Sequence, residues 1–268
     1  MNDIVKTEIN GHVAIVTLNR PVKKNAINLD MFQAIAAAGD ALKTNPAVRA
    51  VVLTGAGDSF CAGIDISAFQ DGGVREAVAN GAMQPRDGSL ANTFQSPAYV
   101  WRELPVPVIA AVKGIAFGGG LQIAAGADIR YASADARFSI MEIKWGLIPD
   151  MAITTTLRHV MSVDRVKELA WTGAVFDGRA AKDYGLVTEL KEDPYLAALE
   201  LATEIASKSP DAIRGIKRLL NKSWQNSEAE SLRQEAEIQM SVMGQANQVE
   251  SVMANLAGRT PEFSDPEP

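Results

Sequence analysis

Apolar positions in the first part of the chain follow two different periods. Short runs rich in β-branched residues predict strands at residues 12–19, 49–54, 106–113, 129–133 and 136–140. Runs with apolar residues at helical spacing predict a helix at 29–43 and a second one, which opens at a glycine triplet, at 119–125. Strands that alternate with helices in this way are typical of an α/β core.

The pattern changes after about residue 193. From there on only helical periodicity remains, and it predicts helices at 196–207, 211–224, 227–243 and 248–256. We therefore predict a core at residues 1–193 and a helical region at 194–268. Residues 70–92, rich in Gly, Asn and Asp, form a long segment between two predicted strands; it is either a lid or binding segment or a surface insertion.

Composition and charge narrow the classes of function. The chain has 268 residues, 47% of them hydrophobic, and a formal net charge of −6 with no long basic run. Nucleic acid is not an expected partner, because binding phosphates requires clustered Lys and Arg. Lys113 and several glycines interrupt the most apolar stretch, residues 106–127, and no basic segment followed by an apolar one begins the chain. We therefore expect a cytoplasmic protein with no membrane partner.

Metal and disulfide chemistry find little support in the residue types. Cys61 is the single cysteine, so an intrachain disulfide is excluded. The two histidines, His12 and His159, lie far apart in unlike contexts. A metal site built on several His and Cys ligands is therefore not expected.

Two glycine-containing turns carry the first candidate chemistry. Residues 55–66 (GAGDSFCAGIDI) and 113–122 (KGIAFGGGLQ) each follow a predicted strand and can leave backbone N–H groups free at a helix start. The second could be a phosphate-binding turn, but it lacks the GK[ST] ending of a P-loop and the G-x-G-x-x-G spacing of a dinucleotide-binding turn. Either one alone fits an ordinary turn between a strand and a helix, whereas two together are suited to holding one thioester oxygen.

Together with two further motifs, these turns resemble the crotonase, or enoyl-CoA hydratase/isomerase, superfamily. The added motifs are Asn19-Arg20-Pro21 with Asn25-Ala26-Ile27, and MEIKWGLIPD at 141–150; order and spacing match over about residues 13–263. The resemblance implies an α/β fold, a crotonase-like spiral core of ββα turns followed by a C-terminal helical trimerisation region, with trimers often paired into hexamers. It also implies an acyl-CoA thioester substrate and no separate cofactor, because coenzyme A is part of the substrate.

The resemblance assigns roles to individual residues in the two turns. By position, the backbone N–H groups of Ile64 and Gly119 form the oxyanion hole that holds the thioester carbonyl. Cys61 is expected to be a small buried residue rather than a nucleophile. Contacts with CoA are implied at Ala62, Arg20, Lys24 and Asp65, although single basic residues at a surface are usually only solvated charges.

The acids depart from the pattern of the hydratases, which use two glutamates. The second is present as Glu142, but the first is replaced by Gln122, and an amide cannot take and return a proton near neutral pH. Dienoyl-CoA isomerases of the superfamily carry acids at the positions of Glu142 and Asp150, and an aspartate where this chain has Gln122. The alternative for Asp150 is a helix N-cap.

These residues together predict an enzyme that stabilises an acyl-CoA enolate and adds water across, or moves, a C=C double bond by carboxylate acid/base catalysis. The acids favour isomerisation, whereas overall similarity favours hydration in fatty acid metabolism. Two alternatives stay open: a dienoyl-CoA isomerase that uses Glu142 and Asp150, and a non-catalytic acyl-CoA-binding protein on the same scaffold. Acyl chain length and the choice between trimer and hexamer are not determined by the sequence.

Overall fold

Strands of two sheets form the frame of the molecule, whose computed structural model describes residues 4–67, 72–224 and 226–266. Within these residues the larger sheet has six strands in the order β1-β2-β3-β4-β6-β9, and the smaller has three in the order β5-β7-β8. The strand bounds are β1 Val5–Asn10, β2 Val13–Leu18, β3 Ala50–Gly55, β4 Val108–Val112, β5 Ile115–Phe117, β6 Ile129–Ala132, β7 Arg137–Ser139, β8 Phe176–Asp177 and β9 Glu189–Leu190.

Helices follow the strands in the first part of the chain and succeed one another in the last part. Two of them begin at side-chain caps: Asn28 accepts from the N–H of Met31, and Asp193 accepts from the N–H groups of Tyr195 and Leu196. The α-helices are α1 Leu29–Lys43, α2 Gly73–Ala79, α3 Ser96–Glu103, α4 Gly119–Gly126, α5 Ile153–Thr156, α6 Val163–Thr172, α7 Gly178–Asp183, α8 Pro194–Ala206, α9 Pro210–Ser223, α10 Glu228–Val242 and α11 Ala246–Ala257.

The centre of the larger sheet is parallel and is buried on both faces. Strands β2, β3, β4, β6 and β9 pair in parallel, and only β1 pairs with β2 in the antiparallel sense. Every residue of β3 and β4 is buried. Such strands read as continuous apolar runs, which is why the sequence signal for them was clear.

Helix α8 covers one face of this sheet, although the sequence analysis assigned it to the C-terminal region. Its alanines Ala198, Ala202 and Ala206 pack with Val52 and Ile109 of the central strands. The boundary after residue 193 stays a prediction, but α8 contributes to the packing of the core. Within the described ranges, no helix combines the length and apolar content needed to cross a membrane.

A buried lysine attaches the next helix, α9, to the core. Lys217 Nζ donates to the carbonyl oxygens of Trp101 and Val106 at 2.9 and 2.8 Å, and to Asp128 Oδ2 at 2.7 Å. All three donors of the ammonium group therefore have acceptors, as a buried charge requires. Burial lowers the pKa of Lys217, and Asp128 opposes that effect.

Most predicted elements are confirmed, and the strands and helices that the sequence missed are short or exposed. Helix α1 spans the predicted residues 29–43, and the α/β core followed by helices is present. Edge strand β1 is almost wholly exposed and polar, so no burial pattern marked it. In the long segment at 70–92, residues 70 and 71 lie outside the described residues; the remainder contains α2 and an antiparallel bridge between Pro85 and Asn92.

Candidate active site

The first glycine-containing turn runs as an extended segment beside Ile27. The N–H of Ile27 donates to the carbonyl of Gly63 at 2.8 Å, and the N–H of Asp65 donates to the carbonyl of Ile27 at 2.9 Å. Because both of these groups face Ile27, the N–H of Ile64 between them faces the opposite side. In the described part of the chain this N–H donates no hydrogen bond.

The second turn lies next to the first. A Cβ added at Gly63, whose φ is +90°, would lie 2.7 Å from the carbonyl oxygen of Phe117 and 3.7 Å from the amide nitrogen of Gly119. Only glycine tolerates this approach and this conformation. Gly119 is the first residue of α4, so its N–H has no partner within the helix, and none among the other described residues. The two predicted oxyanion donors are thus brought close together with both N–H groups free.

A buried asparagine holds the loop that precedes these donors. Asn25 Nδ2 donates to the carbonyl oxygens of Ala56, Ser59 and Phe60 at 2.9, 2.8 and 3.2 Å. Its own backbone has a φ of +56°, which asparagine tolerates better than most residues. One side chain therefore supplies the partners for three loop carbonyls, and Asn25 has a structural role here.

Cys61 is buried, as expected, and is not set up as a nucleophile. Its Sγ lies 3.1 Å from the carbonyl oxygen of Asn25, to which the thiol donates. Burial raises the pKa of the thiol to about 12, against smaller opposing effects of the Gly63 N–H and Arg20. A thiol with this pKa stays protonated at neutral pH, and only the thiolate is nucleophilic.

A buried carboxyl group lies directly against the glycine triplet. Glu142, in a short 3₁₀ helix at Glu142–Trp145, is only 7% exposed. A Cβ added at Gly118 would lie 3.2 Å from Glu142 Oε1 and 3.9 Å from Oε2. The carboxyl group is therefore next to the residue that precedes Gly119, at the start of α4.

Gln122 connects this carboxyl group to the chain on the other side of the site. Its Nε2 donates to Glu142 Oε1 at 2.6 Å, and its Oε1 accepts from the N–H of Met151 at 2.9 Å. The other oxygen, Glu142 Oε2, is buried and has no hydrogen-bond partner; among the described residues it is the one buried carboxylate oxygen in that state. Burial raises the pKa of Glu142, the backbone N–H groups of Glu142 and Met141 and the Gln122 side chain lower it, and the charge of Asp150 raises it.

Asp150 lies near Glu142 but is exposed overall. It directly precedes Met151, and its charge acts on the pKa of Glu142, so the two acids belong to one site. Partial burial raises the pKa of its carboxyl group. The alternative that Asp150 caps a helix is wrong: α5 begins at Ile153 and its N-cap is Ala152.

The predicted CoA contacts lie at the outer side of the first turn. Arg20 Nη2 pairs with Asp65 Oδ2 at 3.0 Å, and both side chains are largely buried. Lys24 is exposed, and its carbonyl accepts from the N–H of Ala62 at 2.9 Å. Arg20 and Asp65 thus neutralise one another in the free protein, whereas Lys24 keeps an exposed charge. Contact of these residues with CoA stays a prediction.

Met151 is a site residue that the sequence analysis missed. It supplies a backbone N–H to Gln122, and a Cβ added at Gly119 would lie 2.8 Å from its Sδ. The residue type does not predict this contact with Gln122, because the hydrogen bond comes from the backbone N–H of Met151. The position directly after Asp150 was the only available signal.

The two sheets with their covering helices, the pair of free N–H groups and the adjacent buried carboxyl group agree with the crotonase class of fold and site. Residues 8–266 match the enoyl-CoA hydratase/isomerase family, and the chain belongs to that family. Among solved structures, the enoyl-CoA hydratase of Bacillus anthracis is similar over 98% of this chain and 99% of its own, with a TM-score of 0.87 and 29% identity.

Relatives with both kinds of activity in their names are about equally similar. Enoyl-CoA hydratase EchA19 of Mycobacterium tuberculosis is 32% identical over 96% of this chain and 95% of its own length. The mitochondrial Delta(3,5)-Delta(2,4)-dienoyl-CoA isomerase of Homo sapiens is 35% identical over 94% of this chain and 79% of its own. The similarity does not separate hydration from isomerisation, and the cytoplasmic location stays a prediction.

Burial of Glu142 leads to a prediction about stability. Its pKa in the folded state is raised above the ordinary value of 4.5, so ionising it opposes folding. The stability that this shift in pKa contributes is fully present below pH 4.5, and it is lost as the pH rises through the folded-state pKa of Glu142. Glu142→Gln, which cannot ionise, should therefore raise Tm relative to the wild type at pH 7, with a smaller gain at pH 4, in thermal unfolding followed by circular dichroism.

The exposed glutamate Glu235 of α10 provides a matched control. Glu235→Gln makes the same chemical change at the surface and should alter Tm little at either pH. A Tm difference between Glu142→Gln and the wild type that is zero, or that does not depend on pH, would contradict the assignment of Glu142 as a buried ionisable group.

Proposed function

We propose that the protein moves a C=C double bond in an enoyl-CoA or dienoyl-CoA thioester, through an enolate held by the N–H groups of Ile64 and Gly119. The observation that carries this proposal is the state of the acids. The amide nitrogen and the amide oxygen of Gln122 both have hydrogen-bond partners, and one of these partners is Glu142 Oε1. Glu142 Oε2 is therefore the free proton acceptor beside the oxyanion donors. A double-bond shift requires one proton to be removed and one to be returned. Unlike hydration, it does not require a second carboxylate that activates a water molecule.

The backbone donors supply the electrostatic part of the reaction. As a proton leaves C2, charge develops on the thioester oxygen, and two fixed N–H groups stabilise it without reorganisation. Each such donor is typically worth about 3 kcal/mol in the transition state. Neither Ile64 nor Gly119 has to break an existing hydrogen bond within the described chain to take this role.

The carboxyl groups supply the proton transfers. Glu142 takes the proton from C2, the electron pair moves into the conjugated system as the old double bond shifts, and Asp150 returns a proton at the far carbon. Glu142 is then protonated and Asp150 ionised, so a proton must pass from Glu142 to Asp150 before the next turnover. Burial raises the pKa values of both acids, which favours the protonated form that each must adopt during the cycle.

Two other functions use the same site differently. Hydration, the activity in the name of the hydratase relatives, would need Glu142 to activate water with Gln122 only orienting it. A non-catalytic acyl-CoA-binding protein would need only the oxyanion donors. A buried carboxyl with a raised pKa and an unpaired oxygen is costly to a fold, which favours a catalytic role over plain binding.

The direct test is incubation with crotonyl-CoA, a 3-enoyl-CoA and a 3,5-dienoyl-CoA, with products resolved by mass and ultraviolet absorbance. We expect absorbance changes without a change of mass. Glu142→Gln should lower turnover by about 10²–10⁴-fold with acyl-CoA binding retained, because it removes the proton carrier. Asp150→Asn should lower isomerisation steeply, since proton return depends on it.

Asp135→Asn serves as the control, because Asp135 is an exposed aspartate in the loop between β6 and β7. It should keep wild-type turnover. Water addition to crotonyl-CoA that outpaces isomerisation would replace the proposal with hydration. Full turnover of Glu142→Gln on every thioester would remove Glu142 from the mechanism.

We also propose that the chain assembles as a homotrimer or hexamer, with acyl-CoA as its other partner. The last two helices expose large apolar side chains, which monomeric proteins rarely leave uncovered. They include Leu232, Met240, Val252, Met253 and Leu256. Light scattering at micromolar concentration should give a trimeric or hexameric mass, and a monomeric mass would contradict this.

A further inference from the structure

We propose that Gln122 is a positioning residue that holds Glu142 Oε1 and thereby commits Oε2 to proton transfer. This inference rests on the proposed function, since it concerns how Glu142 is presented to the substrate. Gln122 itself exchanges no proton. Its role is to fix which oxygen of the carboxyl reacts, and from which direction.

The orientation of the Gln122 amide follows from its neighbours. The backbone N–H of Met151 can only donate, so the amide atom 2.9 Å from it must be the oxygen. The nitrogen then faces Glu142 Oε1 at 2.6 Å and donates to it. Gln122 is 1% exposed, so neither bond competes with bulk water.

This hydrogen bond makes the two oxygens of Glu142 unequal. Gln122 already donates to one lone pair of Oε1, and a proton on that oxygen would weaken this hydrogen bond, so Oε1 is the poorer site for protonation. Oε2 is buried and unpartnered, and it lies 3.9 Å from a Cβ added at Gly118, against 3.2 Å for Oε1. An isolated carboxyl group could rotate and exchange its oxygens, but the short bond to a charged acceptor resists rotation.

The same amide links the segments that carry the two acids. Met151, which donates to Gln122, follows Asp150 directly in the chain. Gln122 therefore spans from the Glu142 carboxyl to the backbone beside Asp150. The distance over which a proton is taken and returned depends on this connection.

The groups that face Glu142 allow a test through the pH dependence of activity. Burial and the charge of Asp150 raise the pKa of Glu142, whereas the backbone N–H groups of Glu142 and Met141 and the Gln122 hydrogen bond lower it. Losing that bond should therefore move the acidic limb of kcat/KM, which reports the free enzyme, to higher pH. Gln122→Met keeps the bulk of the side chain but removes both hydrogen bonds. Gln122→Glu keeps an acceptor for Met151 and places a second carboxyl against Glu142.

We expect both variants to move the acidic limb upward by about one pH unit or more, the scale of a lost hydrogen bond to a charged group. Gln122→Glu should move it further, because two adjacent carboxylates resist ionising together. The loss of kcat/KM at neutral pH should lie mainly in kcat, because the residue does not hold the thioester. The pH profile and the kinetic constants are measured on the thioester that the wild type converts fastest.

The two variants also separate the alternatives. If Gln122 only anchors the Met151 backbone, Gln122→Met should lower kcat but leave the acidic limb in place, and this result would overturn the proposal. The charge added by Gln122→Glu moves the limb in either case. An unmoved limb in both variants would overturn it as well. If Gln122→Met fails to fold, an unmoved limb in Gln122→Glu overturns the proposal by itself. Failure of the proposed function is distinct, because it appears as water addition that outpaces isomerisation in the wild type, or as full turnover of Glu142→Gln.

Discussion

The hydrogen bond from Gln122 to Glu142 is the interaction on which the rest of the site depends. It pairs one oxygen of a buried carboxyl and leaves the other, Oε2, without a partner. A buried acceptor without a hydrogen bond costs a fold about 1–3 kcal/mol. The surrounding structure must therefore enforce the arrangement, and it does so through strands buried on both faces and through the backbone of Met151. The site accepts a local cost in stability for a reactive oxygen at a fixed place.

The oxyanion donors follow from the same packing. Ile64 lies in a segment hydrogen-bonded to Ile27 on one side, and Gly119 begins a helix, so each N–H is left unpaired by the geometry of its own element. Asn25 secures the loop that leads to the first donor through three carbonyl oxygens. The two N–H groups would then already be in position for the charge that develops on a thioester oxygen. The Glu142 carboxyl group would already be in position for the proton that leaves the adjacent carbon. Fold and chemistry are connected here by backbone geometry more than by reactive side chains.

Much of this could be predicted from the sequence, and the failures have physical causes. The parallel strands and α1 carry strong periodicity. The glycines at 63 and 118–120 marked the turns, because Gly63 and Gly118 have a positive φ and a Cβ at Gly120 would lie 2.4 Å from the carbonyl oxygen of Cys61. Glu142 and Gln122 were found through the spacing of family motifs. The hydrogen bond between them was not predicted, because residues 20 apart in sequence meet only in the folded chain. The helix cap proposed for Asp150 failed because the chain turns through Ala152, in a left-handed conformation that no sequence rule indicates.

The central claim is that Glu142 removes a proton from C2 of an acyl-CoA whose carbonyl is held by Ile64 and Gly119. Hydrogen–deuterium exchange at C2 of butyryl-CoA in D₂O, followed by mass spectrometry, tests it without requiring a double bond. We expect the wild type to incorporate deuterium well above the rate in buffer, and Glu142→Gln to do so about 100-fold more slowly or worse. Exchange at the buffer rate in the wild type, or equal exchange in the two proteins, would contradict the account.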